Sequence, residues 1–174
     1  MSIPNWYAGQ VMTADALNAR HPRLVIQEND QTVTSSTVFV KSEIRFTPEP
    51  NALYTYELFI SYSADDAEDF KWEWDSDATT GVLLSSFTAA YAANATTGAD
   101  DGAAIIFRRP GNTTDRIAGG SDVANFHSAY DRGTFTTSSV VSEHALYFTQ
   151  RVSGATGTIL RGGNQTRFVY TRIG

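Results

Sequence analysis

The three histidines, His21, His127 and His144, are the first residues to test for chemistry, because an imidazole titrates near neutrality and can activate a serine or bind a metal. They lie far apart in the chain, in no H-E-x-x-H or H-x-H spacing. A serine–histidine–aspartate group built on His127 or His144 would need distant partners, and no G-x-S-x-G nucleophile turn accompanies either one. The sequence predicts no catalytic residue and no enzyme. Carboxylates gather at Asp65, Asp66, Glu68 and Asp69, at Asp75 and Asp77, and at Asp100 and Asp101. Hard oxygen ligands at loop tips suit calcium, but no EF-hand spacing is present, and solvated turns explain them more simply. Glycoside hydrolysis would need two carboxylates held across a cleft, and no pattern here brings such a pair together. No metal and no cofactor is expected.

Aromatic rings offer a second chemistry, stacking on a sugar. Tyr54, Tyr56, Tyr62, Trp72 and Trp74 recur at a spacing of two, which assigns them to the buried face of strands. A glycan platform made by Trp72 and Trp74 is the alternative. Gly119–Gly120 and Gly162–Gly163 lack the lysine and the order of a phosphate loop and read as turns. Asn94, Asn112 and Asn164 sit in N-x-T sequons, which without a secretory signal are ordinary loop residues. Arginines concentrate in the second half (Arg108, Arg109, Arg116, Arg151, Arg161, Arg167, Arg172), while carboxylates crowd positions 57–77. Such a dipolar surface suits contact between protein subunits.

The elements that position these residues are of β type. Leu53–Ser63 alternates, with Tyr54, Tyr56, Leu58, Ile60 and Tyr62 on one face and Phe59 breaking the polar face. Phe70–Asp75, Leu146–Val152 and Arg167–Arg172 alternate too. Weaker strands are expected at Val33–Val40, Ile44–Phe46, Val82–Phe87, Ala103–Arg108, Arg116–Ala118, Thr134–Val141 and Thr158–Arg161, with a short helix as the alternative for Ser86–Ala93. Many short strands between polar turns predict an all-β, antiparallel β-sandwich, jelly-roll or Greek-key like. Hydrophobic residues at 41% and charged residues at 18% are enough for a core and too little charge for disorder. Net charge −6 repels phosphate, so neither nucleic acid nor a membrane is an expected partner. The absence of cysteine excludes disulfides. No signal peptide or spanning segment is recognisable, which predicts a soluble product synthesised in the host cytoplasm.

Residues 1–23 stand apart. Thr13 is a good N-cap for a short helix over Ala14–Leu17, ended by Asn18 and Pro22. The expected organisation is an attachment arm at 1–23 and a β-sandwich domain at 24–174. The spacing Trp6, Gly9, Gln10, Thr13, Ala14, Leu17 and Asn18 (W-x-x-G-Q-x-x-T-A-x-x-L-N) resembles the opening of tailed-bacteriophage virion proteins of actinobacteriophage type. The following stretches, TVTSST, PNALY and F-K-W-x-W, are similar to that group as well. The resemblance covers about the first 75 residues. It implies a capsid decoration or minor tail protein on the virion surface, anchored by its arm to major capsid or tail proteins. A homotrimer is the oligomer such symmetric positions suggest. The rival is a carbohydrate- or host-receptor-binding module.

Overall fold

The computed structural model describes residues 7–18, 21–75, 80–91, 105–108 and 115–174. After one helical turn, α1 (Ala14–Asn18), the elements are β1 (Arg23–Ile26), β2 (Gln31–Val33), β3 (Val40–Phe46), β4 (Leu53–Ala64), β5 (Phe70–Trp74), β6 (Val82–Tyr91), β7 (Ile105–Arg108), β8 (Arg116–Ala118), β9 (Asp122–Thr137), β10 (His144–Gln150), β11 (Thr158–Leu160) and β12 (Arg167–Arg172). The chain is nearly all β, in two antiparallel sheets.

The larger sheet runs β1-β12-β4-β9-β6-β7, and the smaller runs β3-β10-β5-β8. β4 is the spine of the first. β9 pairs one edge from Leu53↔Thr136 to Tyr62↔His127, and the other edge is shared by β12 at Tyr54–Phe59 and β11 at Tyr62–Ala64. β2 adds to β11. Counting only β1, β3, β4, β5, β8, β9, β10 and β12 as first to eighth, the orders are 1-8-3-6 and 2-7-4-5. The β6–β7 hairpin, inserted between the fourth and fifth of these, widens the larger sheet beyond β9.

Alternation decides which side chains meet between the sheets. Tyr54, Tyr56, Leu58, Ile60 and Tyr62 are buried, as their spacing predicts, and so are Phe70, Trp72 and Trp74. Rings from both sheets touch. Phe46 lies 4.8 Å from Phe168 and 5.4 Å from Phe135, Trp74 lies 5.0 Å from Phe168, and Phe70 stacks on Tyr62 at 4.5 Å. Offset and edge contacts of this kind each add about 0.5–1.5 kcal/mol to the transfer term.

Four expectations need correction. Val33–Val40 is not one strand, because the chain turns between β2 and β3 at Ser35 (φ 53°), with Ser36 held by the Gln150 side chain at 3.0 Å. Val152 is not inside; it is 52% exposed, its amide turned onto the Glu68 carbonyl at 3.0 Å. Ser86–Tyr91 is strand, paired with β9 and β7, and residues 92–93 lie outside the described set. Thr134–Val141 is the tail of the much longer β9, and Ser138–Val140 are turned and exposed.

Candidate functional site

The arm is built locally. Gly9, at φ +84°, lets Gln10 donate its amide to the Tyr7 carbonyl at 3.1 Å, while the Gln10 side chain accepts the Tyr7 amide at 3.2 Å. Thr13 precedes the helical turn and its carbonyl accepts the Leu17 amide at 3.1 Å. Gly9, Gln10, Thr13, Ala14, Leu17 and Asn18 are all exposed, and Trp6 lies outside the described residues. Tyr7 is 72%, Val11 83%, Met12 54% and Leu17 41% exposed. The motif therefore shapes a turn and one helical turn on which Tyr7 and Val11 are largely exposed and Met12 and Leu17 about half exposed.

Three of the four carboxylates at 65–69, those of Asp65, Glu68 and Asp69, serve the fold, and Asp66 is exposed. Asp65 Oδ1 accepts the Ala67 amide at 3.0 Å, and Asp69 pairs with Arg151 at 2.8 Å and accepts the Gly120 amide at 3.1 Å. Glu68 is buried, accepting the amides of Thr156 at 2.9 Å and Gly157 at 2.8 Å, together with the Gln150 side chain. Among the described residues no three His, Asp or Glu side chains are placed to hold a metal ion. Asp77, Asp100 and Asp101 lie outside that set, as do Asn94 and Asn112.

The histidines divide. His21 is exposed. His127 meets Ser121, with Nε2 and Oγ 3.1 Å apart, and burial lowers its pKa. The amides of Gly120 and Ser121 are already donated to Asp69 and to the Ala64 carbonyl, so neither is free to stabilise an oxyanion there. His144 is fully buried, stacked on Trp74 at 5.6 Å, with Nδ1 3.2 Å from Thr80 Oγ1.

Trp72 and Trp74 are 0% exposed, so a glycan platform made by these two rings is corrected: both belong to the core. Trp74 Nε1 donates to Asp131 at 3.3 Å, Tyr56 donates to the same carboxylate at 3.1 Å, and Arg116 pairs with it at 3.0 Å. This buried group joins the two sheets.

Open aromatic surface lies instead on the outer face of the larger sheet. Arg167, Phe59 and Tyr130 form one cross-strand row. The Phe59 and Tyr130 rings are 4.8 Å apart, and the Arg167 guanidinium sits 4.8 Å from the Phe59 centroid. With Ser61, Ser128 and Gln165 these residues line an open cleft of about 520 Å³. Partial burial, and then the hydrogen bond to Glu57, push the Tyr130 hydroxyl pKa up. Farther along β9, Phe126 is 60% exposed beneath the Arg161 guanidinium, 4.6 Å away. The sequence signal for this face was Phe59, the one aromatic on the polar side of its strand.

No protein-family model matches the chain, and no curated protein does. Among solved structures the chain is similar to a chain of infectious bursal disease virus, Gx strain, at 9% identity and a TM-score of 0.29, covering 99% of this chain and 43% of that one. A chain of the Gt strain gives 10% identity, a TM-score of 0.21 and the same coverage of 99% and 43%. The VP2 subviral particle of that virus gives 9%, 0.23, 99% and 46%. The chain thus spans less than half the length of these viral chains, and likenesses this loose carry no argument about its role.

Proposed function

We propose that this chain is a non-enzymatic structural protein of a tailed-phage virion, attached to capsid or tail proteins through its N-terminal arm and displaying the β domain outward. One observation carries the reading: Tyr7 and Val11 are largely exposed, and Met12 and Leu17 about half exposed, on a segment whose backbone is nonetheless shaped by Gly9, Gln10 and Thr13. Burying a Val or Leu side chain gains about 1.5–3 kcal/mol, so a groove on a preformed shell that received them would hold the arm firmly. The motif resemblance points to the same place. The strand orders 1-8-3-6 and 2-7-4-5 support reading the domain as a jelly-roll sandwich, a fold shared by capsid, lectin and cupin domains and therefore neutral about function by itself. Capsid decoration is preferred to a minor tail role, and a homotrimer is the expected oligomer.

The experiment adds purified protein to particles lacking it and follows co-sedimentation. Deleting residues 1–20, or substituting Val11→Asp together with Leu17→Asp in the full chain, should abolish incorporation while leaving the β-type circular dichroism intact. Incorporation at the wild-type level by either variant overturns the anchoring role.

The second reading, a glycan- or receptor-binding module, is favoured by the outer-face cleft at Phe59 and Tyr130.

A further inference from the structure

We infer that the outer face of the larger sheet binds an acidic saccharide, with Phe59 and Tyr130 as its stacking floor and Arg167 as the partner of its carboxylate. The inference is independent of the virion role.

Arg23, Arg116, Arg151, Arg161 and Arg172 each hold a carboxylate. Arg167 forms no ion pair among the described residues; it reaches only the Asn164 carbonyl, at 3.5 Å. Its guanidinium is held over Phe59 instead, presenting a forked donor suited to a carboxylate beside an aromatic surface.

Neutral polar groups stand beside it. Ser61, Ser128 and Gln165 line the same cleft with hydroxyl and amide groups that both donate and accept. The Ser61 hydroxyl already reaches Gln165 at 3.1 Å, which fixes the two relative to each other. A pyranose ring has matching parts, a C–H face for an aromatic ring and hydroxyls for the polar groups.

Backbone pairing decides against a peptide added as a further strand. β4 is hydrogen-bonded along both edges, by β12 and β9, so this face offers no free edge to an added strand. Recognition rests on side chains rising from rigid strands. Phe126 stands four residues from Tyr130 on β9, about 13 Å at the usual strand rise, which makes room for an oligosaccharide.

The test is isothermal titration of the full chain with an oligogalacturonate and with sialyllactose, against the methyl-esterified oligogalacturonate and hexaglutamate. Saturable binding of at least one acidic saccharide is expected. For an oligogalacturonate ligand, esterification should weaken binding about ten-fold or more, the worth of a charge-assisted hydrogen bond. Arg167→Gln should weaken the bound saccharide by as much, and Phe59→Ser should reduce binding as well. The Arg167 side chain lies outside the core, so Arg167→Gln keeps the test decisive even if Phe59→Ser perturbs folding. The inference is overturned if neither saccharide binds, if hexaglutamate binds equally well, or if Arg167→Gln leaves affinity unchanged.

Discussion

His144 should make the fold lose stability as the pH falls from neutrality towards 4. Its ring is fully buried between Trp74 and Phe46, with Nδ1 near Thr80 and Nε2 without a hydrogen-bond partner. Burial lowers its pKa from 6.5 to about 4, because a charged imidazolium there would lose its water. The unfolded chain takes up the proton near pH 6.5, and the folded chain only near pH 4. The stabilising contribution is therefore complete above pH 6.5, fades as the pH falls, and is gone below about 4. At 1.36 kcal/mol per unit, the full loss is about 3 kcal/mol, and about 2 kcal/mol of it falls between pH 7.5 and 5. Urea unfolding followed by tryptophan fluorescence at those two pH values measures it. His144→Gln cannot take up the proton; it should be less stable at pH 7.5 yet lose about 2 kcal/mol less on going to pH 5. All other titrating groups are common to both proteins and cancel. Equal losses in the two proteins would mean that folded His144 accepts its proton at an ordinary pKa, and the argument from burial would fail.

Asp131→Ala would leave the buried Arg116 charge, the Tyr56 hydroxyl and the Trp74 indole facing an empty site, and should cost about 3–5 kcal/mol in chemical denaturation. Replacing both ions, Arg116→Met with Asp131→Leu, should cost less than Asp131→Ala alone. A Cβ at Gly154 would sit 2.0 Å from Glu68 Oε1, so Gly154→Ala should displace the carboxylate from its amides and lower stability by about 1–3 kcal/mol. Trp72→Ala should lose about 3–5 kcal/mol by removing a fully buried ring, and a well-folded Trp72→Ala protein would contradict its place in the core.

What the sequence disclosed, and what it hid, follows from which face carried the apolar side chains. β4, β5 and β12 were legible because tyrosine, tryptophan and phenylalanine alternate with polar residues and point inward. β9 was legible only from Thr134, although it runs from Asp122 to Thr137. Its pattern is inverted: His127, Ala129 and Asp131 face the core, while Phe126 is exposed and Tyr130 half-buried on the outer face. The inward side chains are small or polar because Tyr62, Tyr56 and Trp74 already fill that space, and Tyr56 and Trp74 present hydrogen-bonding atoms to Asp131. The same inversion concealed the outer cleft, whose aromatic partner for Phe59 comes from β9. The arm's turn was foreshadowed by Gly9 and Thr13, whereas the carboxylates at 65–69 gave no hint that Glu68 points inward to staple residues 150–157.

Glu49 receives Arg23 at 3.0 Å and also Arg172, so a single side chain clasps the first residue of β1 to the last residue of β12. The arm leaves the domain at that point. Any tension on the N-terminus reaches Arg23 first, where an edge strand of four residues would otherwise peel from its neighbour one pair at a time. The clasp fastens that first pair to the closing strand through Arg172, which shares the Glu49 carboxylate.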